Sequence, residues 1–211
     1  MSEFKGIITI GREYGAGGRT VAKRISEILG IPFYDKDIIK LTSEKTGFSE
    51  EMIHDTEEHS MVRTIMNWLM PSGAASSYDT AIMAQAQTIR KIAKEGPCVF
   101  VGRCADSILK DTAPILNVFV RADMPFRVAR IMEAENCNEK TAVDMIGKAD
   151  KKRAKYYNFY TQKRWGAADS YDLVLNNAKL GANKAVQIIA DYAKAIAPDE
   201  QLLHTLSPRI R

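Results

Sequence analysis

The chain has 211 residues, 45% of them hydrophobic and 27% charged, with a net charge of +4. That length carries one sizeable core, and the balance excludes a disordered chain. No apolar run approaches the roughly 18 residues that span a bilayer. The N-terminus lacks a basic start followed by a long apolar core, so a cytoplasmic protein with no membrane partner is expected. The mild positive charge suits small anions as well as nucleic acid and decides nothing alone. Cys98, Cys104 and Cys137 fit no metal spacing and cannot all pair with one another, which predicts reduced thiols.

Apolar runs and helical patterns alternate from the start. "GIITIG" (6–11) predicts a strand. "RTVAKRISEILG" (19–30) places Val21, Ile25, Ile28 and Leu29 on one helical face and stops at Gly30. "IPFY" (31–34) predicts a second strand. Residues 36–95 are helical and polar, with a helix over about 79–95 and a mobile loop at "PSGAASS" (71–77). Met61, Met66, Trp68 and Met70 suggest core packing of this lobe or a subunit contact. "PCVFVG" (97–102), "ILNVFV" (115–120) and "YDLVLN" (171–176) predict three more strands. Their near-continuous apolar character suits a parallel sheet covered on both faces. Helices fill about 124–136, 138–148, 150–163 and 181–196, and the tail 198–211 reads as loosely held. Ligands of such sheets sit at the carboxyl ends of the strands. That directs attention to Gly11–Thr20, Asp35, Gly102–Asp106, Arg121 and Asn176.

"ITIGREYGAGGRT" (8–20) runs from a strand through a glycine-rich turn into an amphipathic helix. Such a junction converges backbone N–H groups and the positive helix end on a phosphate. The pattern G-x-x-x-x-G-K-[ST] fails in both frames. With Gly17 as the second glycine, Gly18 stands where lysine belongs. Sliding by one puts Arg19 at the lysine position and Thr20 at the magnesium-binding hydroxyl, with Glu13 in place of the first glycine. Arg12 and Arg19 are both candidates for the missing charge, although arginine is a planar fork and not a point charge. A tight turn without a ligand is the alternative.

Four blocks in order resemble the cytidylate kinase family: "GAGGRTVAKRISEILGIPFYDKDII", "GPCVFVGRCAD", "VFVRADMPFRVARI" and "DKKR" (150–153). The closing "YDLVLNNAKLGANKAVQIIADYA" corresponds as well. The string "ITIGREYGAGGR…LGIPFYD" is similar to the signature of the divergent cytidylate kinase-like group, with Gly11 and Ala16 where that group carries serine. The resemblance covers about 5–35 and 96–195 and is poor in the middle lobe. It implies a P-loop kinase fold, a three-layer α/β/α domain with a five-stranded parallel sheet, a helical monophosphate-binding lobe and a lid. On that reading the chain is one domain, 1–211. The core takes 1–35, 96–147 and 166–197, the acceptor lobe 36–95 and the lid 148–165.

The resemblance implies ATP-dependent phosphorylation of a nucleoside monophosphate, CMP or dCMP, with Mg2+. Gly15, Ala16, Gly17, Gly18, Arg19 and Thr20 would cradle the donor phosphates, joined by Arg127 and Arg130, which otherwise read as a solvated helix face. Arg19, Arg153 and Arg12 would act on the transferred group, and Thr20 and Asp35 would serve magnesium. Asp35, Arg103, Asp106 and Asp150 would face the acceptor. Asp35 and Asp106 could instead cap helices, and Arg103 could form a surface ion pair. Asp150 could orient Arg153. Small-molecule nucleotides are the expected partners of a monomer or homodimer. Three other functions compete: a nucleotide-binding regulator that lost turnover, a kinase for a different small acceptor, and a nucleic-acid binder using "KADKKRAKYYNFYTQKRW" (148–165). The modest charge and the kinase-like frame oppose the last.

Overall fold

The computed structural model describes residues 4–47, 49, 50, 77–111 and 114–196. Met61, Met66, Trp68 and Met70, the loop through residue 76 and the tail from 197 lie outside the described residues.

The apolar runs form five strands: β1 (Ile7–Arg12), β2 (Phe33–Tyr34), β3 (Cys98–Val101), β4 (Ile115–Arg121) and β5 (Leu173–Asn176). All pair in parallel, in the order β2-β3-β1-β4-β5. Alternation along each strand sends side chains to opposite faces, and both faces are covered. Ile8, Ile10, Val99, Val101, Leu116, Val118 and Val120 meet helices α1 (Gly18–Leu29) and α7 (Asn177–Ala195). Ile7, Cys98 and Phe100 meet α2 (Asp37–Thr46), α3 (Ser77–Glu95) and α4 (Ala105–Ile108) on the other side. The result is a three-layer α/β/α domain.

The amphipathic reading of α1 matches its burial: Val21, Ala22, Ile25 and Leu29 pack inward, while Ile28 is 58% exposed. Each fully buried isoleucine or valine contributes about 1.5–3 kcal/mol. Gly30, at φ 62, ends the helix as the sequence predicts. The strand prediction 6–11 shifts by one residue, so Arg12 is the last residue of β1 and pairs with Val120.

Two helix boundaries need correction. The segments predicted at 138–148 and 150–163 are one helix, α6 (Glu139–Thr161), which follows α5 (Met124–Glu135). Asn138 caps it by accepting from the Thr141 amide at 2.9 Å, and Gln162, at φ 57, ends it. Gly147 sits inside, where a glycine costs only about 1 kcal/mol and does not break a long helix. Residues 148–161 of the expected lid are therefore the second half of a helix whose first half packs on α5 through Ala142 and Ile146. Helix α7 begins at Asn177, earlier than predicted. Asn176 caps it, and the predicted start at 181 coincides with a kink at Gly181 (φ 72, ψ 155).

The chain leaves β1 toward β2 on one side, and crosses back after β3 to reach β4 on the other. This switch opens a crevice at the carboxyl end of β1, where ligands of open α/β sheets bind.

Candidate functional site

Residues 13–17 join β1 to α1 at that crevice. Gly17, at φ 83, is the N-cap of α1 and no side chain caps the helix. The first-turn amides of Gly18, Arg19 and Thr20 therefore have no intrahelical partner. Ala16 contributes no side chain to the surface: it is fully buried, and its carbonyl accepts from Asn177 Nδ2 at 2.8 Å. A Cβ at Gly17 would stand 2.8 Å from the same Nδ2 and 3.9 Å from the Arg130 guanidinium. The glycine thus leaves room for both groups at the loop.

In the frame that makes Gly17 the second glycine, Gly18 stands where lysine is expected, and a side chain there has no room. A Cβ there would lie 2.5 Å from Arg12 Cβ. A Cβ on Gly102 would collide with Arg12 Nη1. The Arg12 side chain thus leaves the end of β1 through a slot kept open by two glycines, and its guanidinium approaches Asp35 Oδ1 at 3.9 Å. Arg19 takes a different place. Its Nε pairs with Asp35 Oδ2 at 2.9 Å, and its side chain is 65% exposed against 23% for Arg12. Asp35 is not a helix cap, because α2 begins after Lys36 with no side-chain cap. Its buried carboxylate draws the two arginines together.

Arg127 and Arg130, three apart on α5, have different surroundings. Arg127 is 4% exposed. It donates from Nε to the Tyr14 carbonyl at 2.8 Å, and pairs with Glu13 at 3.3 Å and with Asp150 in a short contact. Asp150 also accepts from the Tyr14 amide at 2.8 Å. Both charges are met by partners within the protein. Arg127 fastens the loop to α5 and α6, and Asp150 pairs with Arg127 instead of orienting Arg153. Arg130 is exposed, stacks over Phe126 and stands beside Gly17.

Arg12, Arg103 and Arg153 line one cavity, together with Thr9, Gly102, Asp106 and the aromatic group Tyr156, Tyr157, Trp165 and Tyr171. The cavity takes in about 490 Å³, counting space open to solvent. Arg103 follows β3 in the left-handed region at φ 60. Arg153 donates from Nη1 to the Arg12 carbonyl at 3.2 Å and lies 5.4 Å over the Tyr14 ring, so α6 reaches the loop directly. Asp106 lies inside α4, not at its cap, and accepts from the Tyr157 hydroxyl at 2.6 Å. Burial pushes the Asp106 carboxyl above its ordinary range, against the Tyr157 hydrogen bond, which lowers it. Burial likewise raises the Tyr157 hydroxyl, reinforced by Asp106, and pushes Tyr171 up to about 12. All three cysteines are free.

Arg121 and Asn176, also expected at the carboxyl ends, serve the strands' own exits. Arg121 pairs with Asp123 at 3.8 Å, and Asn176 Nδ2 donates to Asp123 at 2.9 Å. Residues that sequence reasoning passed over include Glu13, Tyr14, Asn177 and the aromatic wall. Glu13 Oε2 accepts from the Ala122 amide at 2.9 Å, which ties the loop to the end of β4. Glu13 also pairs with an arginine 114 positions away, and nothing in its local pattern marks that partnership.

Among the described residues no group of three or more His, Cys, Asp or Glu could hold a metal. Magnesium takes one or two protein oxygens and completes its shell with water and substrate phosphates; the hydroxyl of Thr20, exposed in the first turn of α1, and the Asp35 carboxylate are oxygen donors of that kind. No helix among the described residues is long and apolar enough to cross a membrane.

A family model described as the cytidylate kinase-like family matches residues 7–179. A cytidylate kinase of Methanococcus vannielii is 28% identical over 195 residues, covering 89% of this chain and 99% of the relative. A solved structure of an uncharacterized protein from Eubacterium ventriosum is 31% identical with a TM-score of 0.70, covering 90% of this chain and 99% of the other. A gluconokinase structure from Sinorhizobium meliloti has a TM-score of 0.55 at 14% identity, covering 97% and 98%, a likeness of fold.

Proposed function

We propose that this chain, which belongs to the cytidylate kinase-like family of phosphotransferases, passes the terminal phosphoryl group of ATP to a nucleoside monophosphate, CMP or dCMP. The observation that carries the reading is the convergence of Arg12, Arg103 and Arg153 on one cavity at the end of β1, the strand that leads into the glycine loop. Phosphoryl transfer asks little covalent chemistry of a protein and much positioning and charge stabilisation. A site whose lining charges are three arginines and one hydrogen-bonded aspartate suits two phosphates brought face to face.

The amides of Gly18, Arg19 and Thr20 receive the donor phosphates, with Arg130 beside them. Arg12 supplies the charge that lysine supplies elsewhere, because its half-buried guanidinium enters the cavity while Arg19 remains outside and holds Asp35. Arg103 holds the acceptor phosphate. Arg153, carried by α6, closes on the transferred group from the loop side. An acceptor phosphate is already anionic at neutral pH, so its oxygen attacks in line without a general base. Thr20 and Asp35 would hold magnesium, directly or through water, and the ion would supply positive charge to offset that of the phosphates.

A coupled ADP-release assay with ATP, Mg2+ and a panel of monophosphates and small alcohols tests the proposal. Turnover on CMP or dCMP, lost in Arg103→Ala, is expected. ATP binding without turnover on any acceptor would point to a regulator. Turnover confined to alcohols would point to a different acceptor.

A further inference from the structure

Helix α3 presents Ala81, Ala84, Thr88, Ile89 and Ile92 to the interior, and Gln85 among them is 1% exposed. An amide offers two donors and an acceptor, and burial obliges each to find a partner. Gln85 Nε2 donates to the Tyr156 hydroxyl at 3.3 Å, which orients the amide. Its Oε1 is buried and accepts nothing. The side chain lines a second cavity of about 580 Å³, counting space open to solvent, between α3, α4 and α6. Arg103, Cys104 and Tyr156 line this cavity as well as the first, so the two spaces meet at Arg103.

That continuity gives the acceptor a direction. A monophosphate held at Arg103 would have the second cavity open to its base. Ile82, Ala86 and Ile108 offer apolar walls there and Tyr160 a ring. Gln85 Oε1 is a buried acceptor that asks for a donor.

We infer that Gln85 selects an acceptor base by its exocyclic amino group, which donates to Oε1. The inference rests on the nucleoside monophosphate reading given above. An amino group satisfies the orphan oxygen. A carbonyl at the same ring position sets acceptor against acceptor. A site built to hydrogen-bond a substrate group discriminates strongly against the analogue that lacks it. Cytosine and uracil differ at that edge by an amino group against a carbonyl, so CMP and UMP make the direct comparison.

The test measures kcat and KM for CMP and UMP with Mg-ATP, and nucleotide affinity by calorimetry, on the full chain and three variants. The wild type is expected to prefer CMP by roughly tenfold or more in kcat/KM. Gln85→Leu, similar in size but unable to accept, brings that ratio close to one through a higher KM for CMP, with kcat little changed. Gln85→Glu accepts from both oxygens and keeps the preference. Tyr156→Phe frees the amide to turn and lowers the ratio part of the way, and it serves as the second probe if Gln85→Leu does not fold. A wild type that uses CMP and UMP equally overturns the inference and leaves the kinase reading standing; the Gln85 oxygen is then met by water only. An unchanged ratio in folded Gln85→Leu, or loss of preference in Gln85→Glu, overturns it too. If turnover is absent, the CMP-to-UMP affinity ratio is read by the same criteria. No binding of any nucleotide overturns both.

Discussion

Arg127→Met should damage the protein far more than Arg130→Ala, although the two arginines lie one turn apart on α5. Arg127 is 4% exposed and serves Glu13, the Tyr14 carbonyl and Asp150 at once. Removing one partner from a buried charge network costs about 3–5 kcal/mol. The Glu13 and Asp150 side chains keep 22% and 20% of their exposure, so water recovers part of that loss, and about 2–3 kcal/mol is the expected net. A chain of this size loses about 2–4 °C of melting temperature per kcal/mol, so the midpoint should fall by about 4–12 °C. The loop loses its tether to α5 in the same step, and KM for ATP should rise. Arg130→Ala should move stability by less than about 0.5 kcal/mol and show its effect in ATP affinity alone. Thermal melts and ADP-release kinetics on both variants check this. A melting shift below 2 °C for Arg127→Met would refute the reasoning, as would equal shifts for the two variants.

Gly18→Lys puts a lysine directly after Gly17, as phosphate loops do, yet it should lower turnover, because its Cβ enters the space of Arg12 Cβ. Overpacking of that kind costs about 1–3 kcal/mol, and gain of activity in the ADP-release assay would contradict the steric argument. Asn177→Ala removes the donor to the Ala16 carbonyl and should raise KM for ATP about fivefold, the equivalent of roughly 1 kcal/mol for one hydrogen bond. Asp106→Asn should flatten the stability profile at mildly acid pH. The native carboxyl is raised above 3.8 by burial, so the folded state binds more protons than the unfolded one between those two values. Stability therefore falls as pH rises through that window. Melts across the acid range should show this slope in the wild type and lose it in the variant, whose amide oxygen still accepts from Tyr157.

The sheet was legible in the sequence because buried parallel strands are continuous apolar runs, and "CVFV" and "ILNVFV" have few other readings. The glycine loop and the placement of Asp35, Gly102 and Arg103 after strands were legible for the same reason: position at a strand's carboxyl end follows from the strand. What eluded sequence reasoning depends on long-range partnership. Arg127 and Arg130 look alike along a helix, and only the approach of Glu13, Tyr14 and Asp150 separates them. Asp150 was read with its neighbour Arg153, but helix α6 continues unbroken through Gly147 and turns the carboxylate toward the loop. Gln85 sits in a stretch that reads as a polar helix, and its burial follows from α3 packing on the sheet and α6. Glu13 stood where a glycine belonged and looked like a defect. In the fold it anchors the loop to Ala122 and Arg127.

The central claim is that Arg12, threaded between Gly18 and Gly102, takes the place of the absent lysine. The direct measurement is ADP release at saturating ATP, Mg2+ and CMP for Arg12→Ala and Arg19→Ala. Loss of one oriented charge at a developing phosphoryl centre costs about 10²–10³ in kcat. Arg12→Ala should show that loss, with melting temperature within a few degrees of wild type. Arg19→Ala should keep kcat within about tenfold, because it acts through Asp35. Normal kcat in Arg12→Ala, with collapse in Arg19→Ala, would contradict the account.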